Sequence, residues 1–427
     1  MDKEAAGFSA FPLSISCPGR ARRREKLLLK EKEGSGAGSP MAVFLFGLKT
    51  TTIWNKRRRF PVQKIQKAPE TMTSKERVLR TFSFQETDRV PIDYMANPAV
   101  HERFCRALGI SSNDQEGLEQ LLGVDYRACG AAFVGKNQFP VLKNRMTDPI
   151  YGFNMRWVEN ESGGYWDFCD FPLQDADEET IATFHVPSMD DFSVKDLRAQ
   201  LKACPTKAIY VGNAGTADII NSTGRVMGME DTLVNLMTED EATLVYVNRV
   251  VDMELGMLEM ALEEAGDLID FVWLGEDLGT QHTPMISLEM YRRVLRPIHQ
   301  KYIDLAKAYN KPVMVHTCGC SSWVYEDFIE MGVNAVDTLQ PEAANMNPHY
   351  LKEHFGGRLS FHGCISTAGP LAYGTPKETE QVVKDTLEIM MPGGGYHLSP
   401  THMIQDNTPV ENLFAMYQAA HIYGRYR

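Results

Sequence analysis

Residues 312–320 read PVMVHTCGC, an apolar run of strand length that ends on His316, Thr317 and Cys318. A short apolar stretch bounded by Pro and Gly is the mark of a buried strand. Positions 316 and 318 lie two apart, so on extended backbone an imidazole and a thiol project to one side. That pair of donors suits zinc.

The same design recurs outward from this stretch in both directions. Short β-rich runs fall at 90–94, 208–212, 269–274, 335–339, 358–362 and 394–398, and amphipathic segments at 241–264, 288–308, 323–331, 377–389 and 409–423 lie between or after them. Strands alternating with helices predict parallel βαβ units, hence an α/β fold. With 312–316 the strands number seven. An eighth is expected inside the irregular region 126–170, whose aromatic and Gly content resembles a hairpin insertion. Eight strands predict a (β/α)8 TIM barrel in a single domain, residues 72–427. The alternative, an open doubly wound sheet, lacks its expected Gly-x-Gly-x-x-Gly after the first strand, and no P-loop is present.

Residues 1–71 read differently. They carry 15 Lys/Arg against 6 Asp/Glu, whereas the remainder carries 29 against 50. With two Arg-rich clusters, a Gly/Ser run at 34–39 and no periodicity, the segment is expected to be a disordered basic extension. It is readable as an upstream-start artefact, a basic tail or a targeting peptide; Met72 with Thr73 or Ser74 as a helix cap resembles a natural start. The acidic body argues against nucleic acid as a partner. The apolar stretch 41–48 is too short to cross a bilayer, so no membrane partner is expected. Eight cysteines without a secretory signal point to reduced thiols and a cytoplasmic setting.

In a parallel barrel, reactive groups gather where strands end and βα loops begin. Here the strand ends deliver Glu276 and Asp277, then His316 and Cys318, then Gln340, then His362 and Cys364, then Ser399 and His402. Asp93 closes the first strand and Asn213 follows the second. Glu276, Asp277, His362 and Asp93 are the candidate catalytic groups; Asn213, Gln340 and Ser399 are candidates for binding a co-substrate; His316, Cys318 and His402 are the candidate metal ligands. Plainer readings stand beside these. Cys320 and Cys364 also read as small buried thiols, His362 as bonded to a carbonyl, and Glu276 and Asp277 as helix caps.

Several motifs then carry a resemblance: Asp88-Arg89-Val90-Pro91, Gly275-Glu276-Asp277-Leu278-Gly279, His316-Thr317-Cys318-Gly319, Gly363-Cys364-Ile365-Ser366-Thr367, Gly374-Thr375-Pro376 and Thr408-Pro409-Val410-Glu411-Asn412. In order and spacing they resemble the uroporphyrinogen decarboxylase superfamily, and within it the branch of zinc-dependent, corrinoid-linked methyltransferases. The resemblance implies a barrel with its site at the C-terminal mouth. It also implies zinc held by the His-x-Cys pair and by a later Cys just before the Thr-Pro-x-Glu-Asn segment. That later position is His402 here. With two imidazoles and one thiolate, Glu276 or Asp277 is expected to supply negative charge at the metal or beside it.

The leading reading is therefore a methyltransferase that moves a methyl group between a corrinoid, free or on a protein, and a small acceptor such as a thiol. The alternative is a cofactor-free decarboxylase of a porphyrinogen or other polycarboxylate, in porphyrin metabolism, with Asp93 or Asp277 stabilising a protonated pyrrole. Decarboxylases of the superfamily resemble one another in an Arg-bearing loop after the first strand, but residues 93–100 contain no Arg. A third reading is a domain that only sequesters a corrinoid or tetrapyrrole. The resemblance allows a homodimer.

Overall fold

Seven strands, numbered β1 to β7 in chain order, form one parallel sheet in which sequence neighbours are spatial neighbours. They are β1 Tyr126–Cys129, β2 Ala208–Gly212, β3 Phe271–Gly275, β4 Val313–Thr317, β5 Ala335–Thr338, β6 Ser360–Ile365 and β7 Tyr396–Pro400. The structure is a computed structural model and describes residues 64–160 and 164–426. Most of the expected basic extension lies outside those residues. Between strands run helices including Glu241–Ala265, Arg296–Ala308, Tyr325–Met331, Pro348–Phe355 and Pro376–Met390, and Val410–Tyr423 follows the last strand. Strands β3 to β7 are buried along their whole length, as a parallel sheet covered on both faces requires.

The sheet curls until its two edges share a neighbour. Asp93 N–H donates to Leu398 O at 3.0 Å and Leu398 N–H to Pro91 O at 2.8 Å, on the β7 side. On the β1 side Asp125 N–H donates to Ile92 O at 2.9 Å. Pro91 has no N–H, so this first expected strand makes a sparser ladder than the others and pairs only as isolated bridges, Ile92 with Leu398 and Ala96 with Ile404. The result is a TIM-barrel-like α/β fold. The irregular region 126–170 supplies β1 and then a small antiparallel sheet, Met146–Thr147, Asn154–Val158 and Tyr165–Cys169.

One end of the curled sheet is stoppered. Helix Ser74–Phe82, capped by Thr73 accepting from Glu76 N–H, turns Val78 and Phe82 onto Tyr126, Ala208, Phe271, Trp273, Met314 and Ala335 inside the curl. Lys75 N–H donates to Thr206 O at 3.0 Å and Ser360 Oγ to Thr81 O at 3.0 Å. Both contacts fall where strands begin, so the helix lies across the N-terminal ends. The C-terminal ends are left for chemistry.

Beneath that helix the Asp88-Arg89 motif serves the fold. Buried Asp125 accepts from Arg77 Nη1 at 2.5 Å, Arg89 Nη1 at 2.7 Å and Ile92 N–H at 2.8 Å, while Asp88 takes Arg77 Nε at 2.7 Å. Residues just before Met72 join the body as well: Glu70 pairs with Arg89 at 2.7 Å, and Ala68 N–H donates to Nδ1 of His421 at 3.3 Å. His421 Nε2 donates in turn to Leu122 O at 2.9 Å. With one ring nitrogen accepting and the other donating, His421 is neutral, and burial pulls its pKa down to about 4. A depressed imidazole pKa adds stability above the ordinary value of about 6.5 that is lost as the pH falls toward 4. Amide exchange at Gln66 and Ala68, corrected for intrinsic pH dependence, is therefore expected to quicken between pH 6.5 and 4. A flat profile across that window would count against His421 as the anchor.

Candidate metal centre

Register assembles the site. Gly275 of β3 lies beside His316 of β4, so the residues that leave β3 next, Glu276 and Asp277, run alongside Thr317 and Cys318. Consecutive residues at a strand end face opposite ways. Glu276 turns outward, and its carboxylate receives Ile219 N–H at 2.9 Å and Ile220 N–H at 3.1 Å at the start of helix Ile219–Met227. Burial lifts its pKa to about 8 against the pull of those donors. It caps a helix and stands apart from the cluster described next. Asp277 turns the other way.

Asp277, His316 and Cys318 form the one group of three or more metal-ligating side chains among the described residues, their ligand atoms all within 4.8 Å of one another. His316 Nε2 lies 3.3 Å from Cys318 Sγ and 3.7 Å from Asp277 Oδ1. Asp277 Oδ1 accepts Cys318 N–H at 2.8 Å, and its Oδ2 accepts from Asn221 Nδ2 at 3.1 Å. Burial works to raise the Asp277 pKa, but His316 and the Cys318 N–H outweigh it and hold the carboxyl below its usual range. Burial, together with the Asp277 charge, pushes the Cys318 thiol up to about 11. Burial opposes the charged form of His316, yet Cys318 and Asp337 raise its pKa well above the ordinary imidazole value. One carboxylate, one imidazole nitrogen and one sulfur converging in a partly buried place is a donor set that fits zinc.

His316 is steered from behind. Its Nδ1 lies 2.6 Å from Asp337 Oδ2 on β5, and the other oxygen of Asp337 lies 2.6 Å from Nδ1 of His362 on β6. His362 Nε2 stands 3.3 Å from Asp93 Oδ2. Burial alone would lower the His362 pKa, but Asp337 and Asp93 carry it up to about 9. A line of polar groups thus crosses the mouth from β4 to the first strand.

The expected residues divide. His316 and Cys318 meet, and Asp277 joins them. His402 is outside the group: its Nδ1 lies 3.5 Å from Gln405 Nε2, and the third donor beside the pair is a carboxylate just past the end of β3. His362 and Asp93 pair with each other beside this centre. Gln340 Oε1 accepts Gly319 N–H at 2.8 Å and so braces the Cys318 turn. Asn213 Oδ1 accepts Gly215 N–H at 2.7 Å, ordering its own loop, and Ser399 is buried with its hydroxyl 3.2 Å from Pro400 O. Cys320 and Cys364 are buried thiols, as their plainer reading had it. Asp337, Thr338 and Asn221 were not foreseen. A carboxylate inside the apolar run Ala335–Thr338 was the one signal available for Asp337.

The uroporphyrinogen decarboxylase (URO-D) model matches residues 193–423, more than half of the 427-residue chain. The chain belongs to the uroporphyrinogen decarboxylase family. That match takes in β2 to β7 and the whole Asp277, His316 and Cys318 cluster, as the motif order had implied. No curated protein matches the chain. Among solved structures it resembles a methyltransferase from Methanosarcina mazei, with a TM-score of 0.57 and 16% identity over 82% of this chain and 98% of that one. The likeness extends the URO-D assignment to a shared fold. No helix among the described residues is long and apolar enough to cross a membrane.

Proposed function

We propose that this URO-D family member is a methyltransferase whose site holds zinc through Asp277, His316 and Cys318. It moves a methyl group between a corrinoid and a small acceptor such as a thiol. The observation that carries the reading is the convergence of three donors within 4.8 Å, one of them an imidazole held from behind by a buried carboxylate. We further propose that Pro91–Asp93 completes the curled sheet as the eighth stave of a closed barrel, and that the enzyme works in the cytoplasm.

Each side chain has a distinct part. Asp277 and Cys318 supply negative charge, and His316 supplies a neutral lone pair, so one thiolate and one carboxylate would balance the dication. When bound, zinc would lower the pKa of an incoming thiol by direct charge stabilisation and leave its sulfur nucleophilic at neutral pH. Asn221 and the Cys318 N–H fix the Asp277 carboxylate. Gln340 holds the turn at Gly319, where φ is +73° and a Cβ would collide with the Gly279 and Thr280 carbonyls. These supports keep the donors in place without waiting for substrate.

The family's decarboxylase reading needs cations for a polycarboxylate. Residues 93–100 offer none, and the nearby Arg103 is committed to the backbone carbonyls of Asp406 and Thr408. Metal analysis tests the choice. Purified protein is expected to carry stoichiometric zinc, and the His316→Ala, Cys318→Ala double variant almost none. Chelation should abolish methyl transfer from methylcobalamin to a thiol. Zinc-free wild type, or porphyrinogen decarboxylation that survives chelation, would remove the basis of the proposal.

A further inference from the structure

Asp337 is wholly buried in β5 and shares its two oxygens between two imidazoles, His316 and His362, at 2.6 Å each. A carboxylate only accepts, so both contacts call for the proton on Nδ1 of each ring. With Nδ1 so engaged, Nε2 is the His316 nitrogen left for a metal, and it faces Cys318 Sγ and Asp277 Oδ1. The backbone is bent to reach this arrangement. Thr338 has φ +90° and Leu339 φ +54°, a conformation that a β-branched residue such as Thr338 rarely adopts. The bend brings Thr338 Oγ1 to 2.9 Å from His316 Nδ1. The neighbouring strand leaves room for it: Gly363, at φ +127°, lies where a Cβ would collide with the Thr338 carbonyl. Strain held at one point of a strand, with a glycine opposite that admits it, marks a place kept for something other than packing.

We propose that Asp337 is a positioning residue for the metal centre: it fixes the His316 tautomer so that Nε2 faces Cys318 and Asp277, and it couples that ring to His362. The proposal rests on the zinc reading above. It deepens that reading by assigning the group that prepares the imidazole before any metal arrives. Asparagine at 337 has one accepting oxygen and one donating NH2, so it can satisfy the Nδ1–H of only one ring. The other ring must move its proton to Nε2 or lose its partner.

The test uses the full chain, with cobalt(II) and zinc(II) as the probes. Asp337→Asn is expected to weaken zinc binding by roughly 10–100-fold, the usual cost of removing such an outer partner. It should also alter the visible cobalt spectrum, while circular dichroism stays as in the wild type. Asp337→Glu, which keeps a carboxylate, should recover part of the affinity. In metal-free wild type with 15N-labelled histidine, two-bond 1H–15N correlation is expected to show His316 protonated on Nδ1. Wild-type affinity in Asp337→Asn overturns the proposal. So does a neutral His316 ring protonated on Nε2 alone in the wild type, with Nδ1 bare toward Asp337, a measurement that decides the matter even if the variant does not fold. Should the wild type bind neither cobalt nor zinc, the methyltransferase reading falls, and the ring measurement still judges Asp337 on its own.

Discussion

Asp277→Ala is expected to weaken zinc binding by at least about 100-fold, while His402→Ala leaves it close to wild type. Outer partners of a metal ligand commonly cost 10–100-fold, so loss of a direct donor belongs above that range. The contrast follows from register. Gly275 sits beside His316, which carries Asp277 to within 3.7 Å of the His316 ring, whereas His402 stands outside the 4.8 Å cluster. Competition against a chromophoric chelator measures both variants on one scale. Asp277→Asn serves as a second form of the test, because it preserves shape while removing charge. Equal losses from Asp277→Ala and His402→Ala would return His402 to the metal and take away the special place of Asp277.

Asp125→Ala is expected to lower the free energy of unfolding by about 3–5 kcal/mol, the range for removing one member of a buried ion pair. The reason is what remains. Arg77 and Arg89 are both essentially inaccessible to solvent, and Asp125 meets both of them and the Ile92 N–H as well. Arg77 keeps Asp88 and Arg89 keeps Glu70, so the cost should stop short of complete unfolding. Urea denaturation of the two proteins side by side gives the difference. A change under about 0.5 kcal/mol, the scale of an ordinary surface substitution, would show that the network contributes little.

Much of the strand pattern was legible because parallel strands buried on both faces are written as short apolar runs, and because several of them end on a polar or titratable group that interrupts the apolar run. The run 312–318 gave its strand and both of its candidate metal donors for that reason. The first strand was legible as a run but not as a weak ladder, since the effect of Pro91 shows only once its partner is known. Region 126–170 hid β1 among turn residues and exposed aromatics.

The site was legible along one strand and obscure between strands. His316 and Cys318 are two residues apart, so periodicity alone unites them. Asp277 reaches them through the β3–β4 register, which no spacing in the chain reveals. Placing His402 with the pair relied on its position before the Thr-Pro-x-Glu-Asn segment, and that position does not fix where an imidazole on a loop will point. Glu276 and Asp277 read alike in sequence, yet the two-residue period of a strand end sends one to a helix start and the other to the mouth. Asp337 passed for strand interior, because a carboxylate between two histidines can be recognised only when all three strands are side by side.

The hydrogen bonds that join Pro91 and Asp93 to Leu398 link the beginning of the described chain with its last strand. Each stave can meet the neighbour that follows it in the chain before synthesis ends, and Pro91–Asp93 so meets the start of β1, but its second neighbour, β7, is made only when nearly the whole polypeptide is complete. Until β7 leaves the ribosome, the Pro91–Asp93 edge has no partner on that side, and slow, long-range closure of this kind favours stray pairing between nascent chains. The proline in that edge, with no N–H to offer a stranger, makes the waiting strand a poorer template for aggregation.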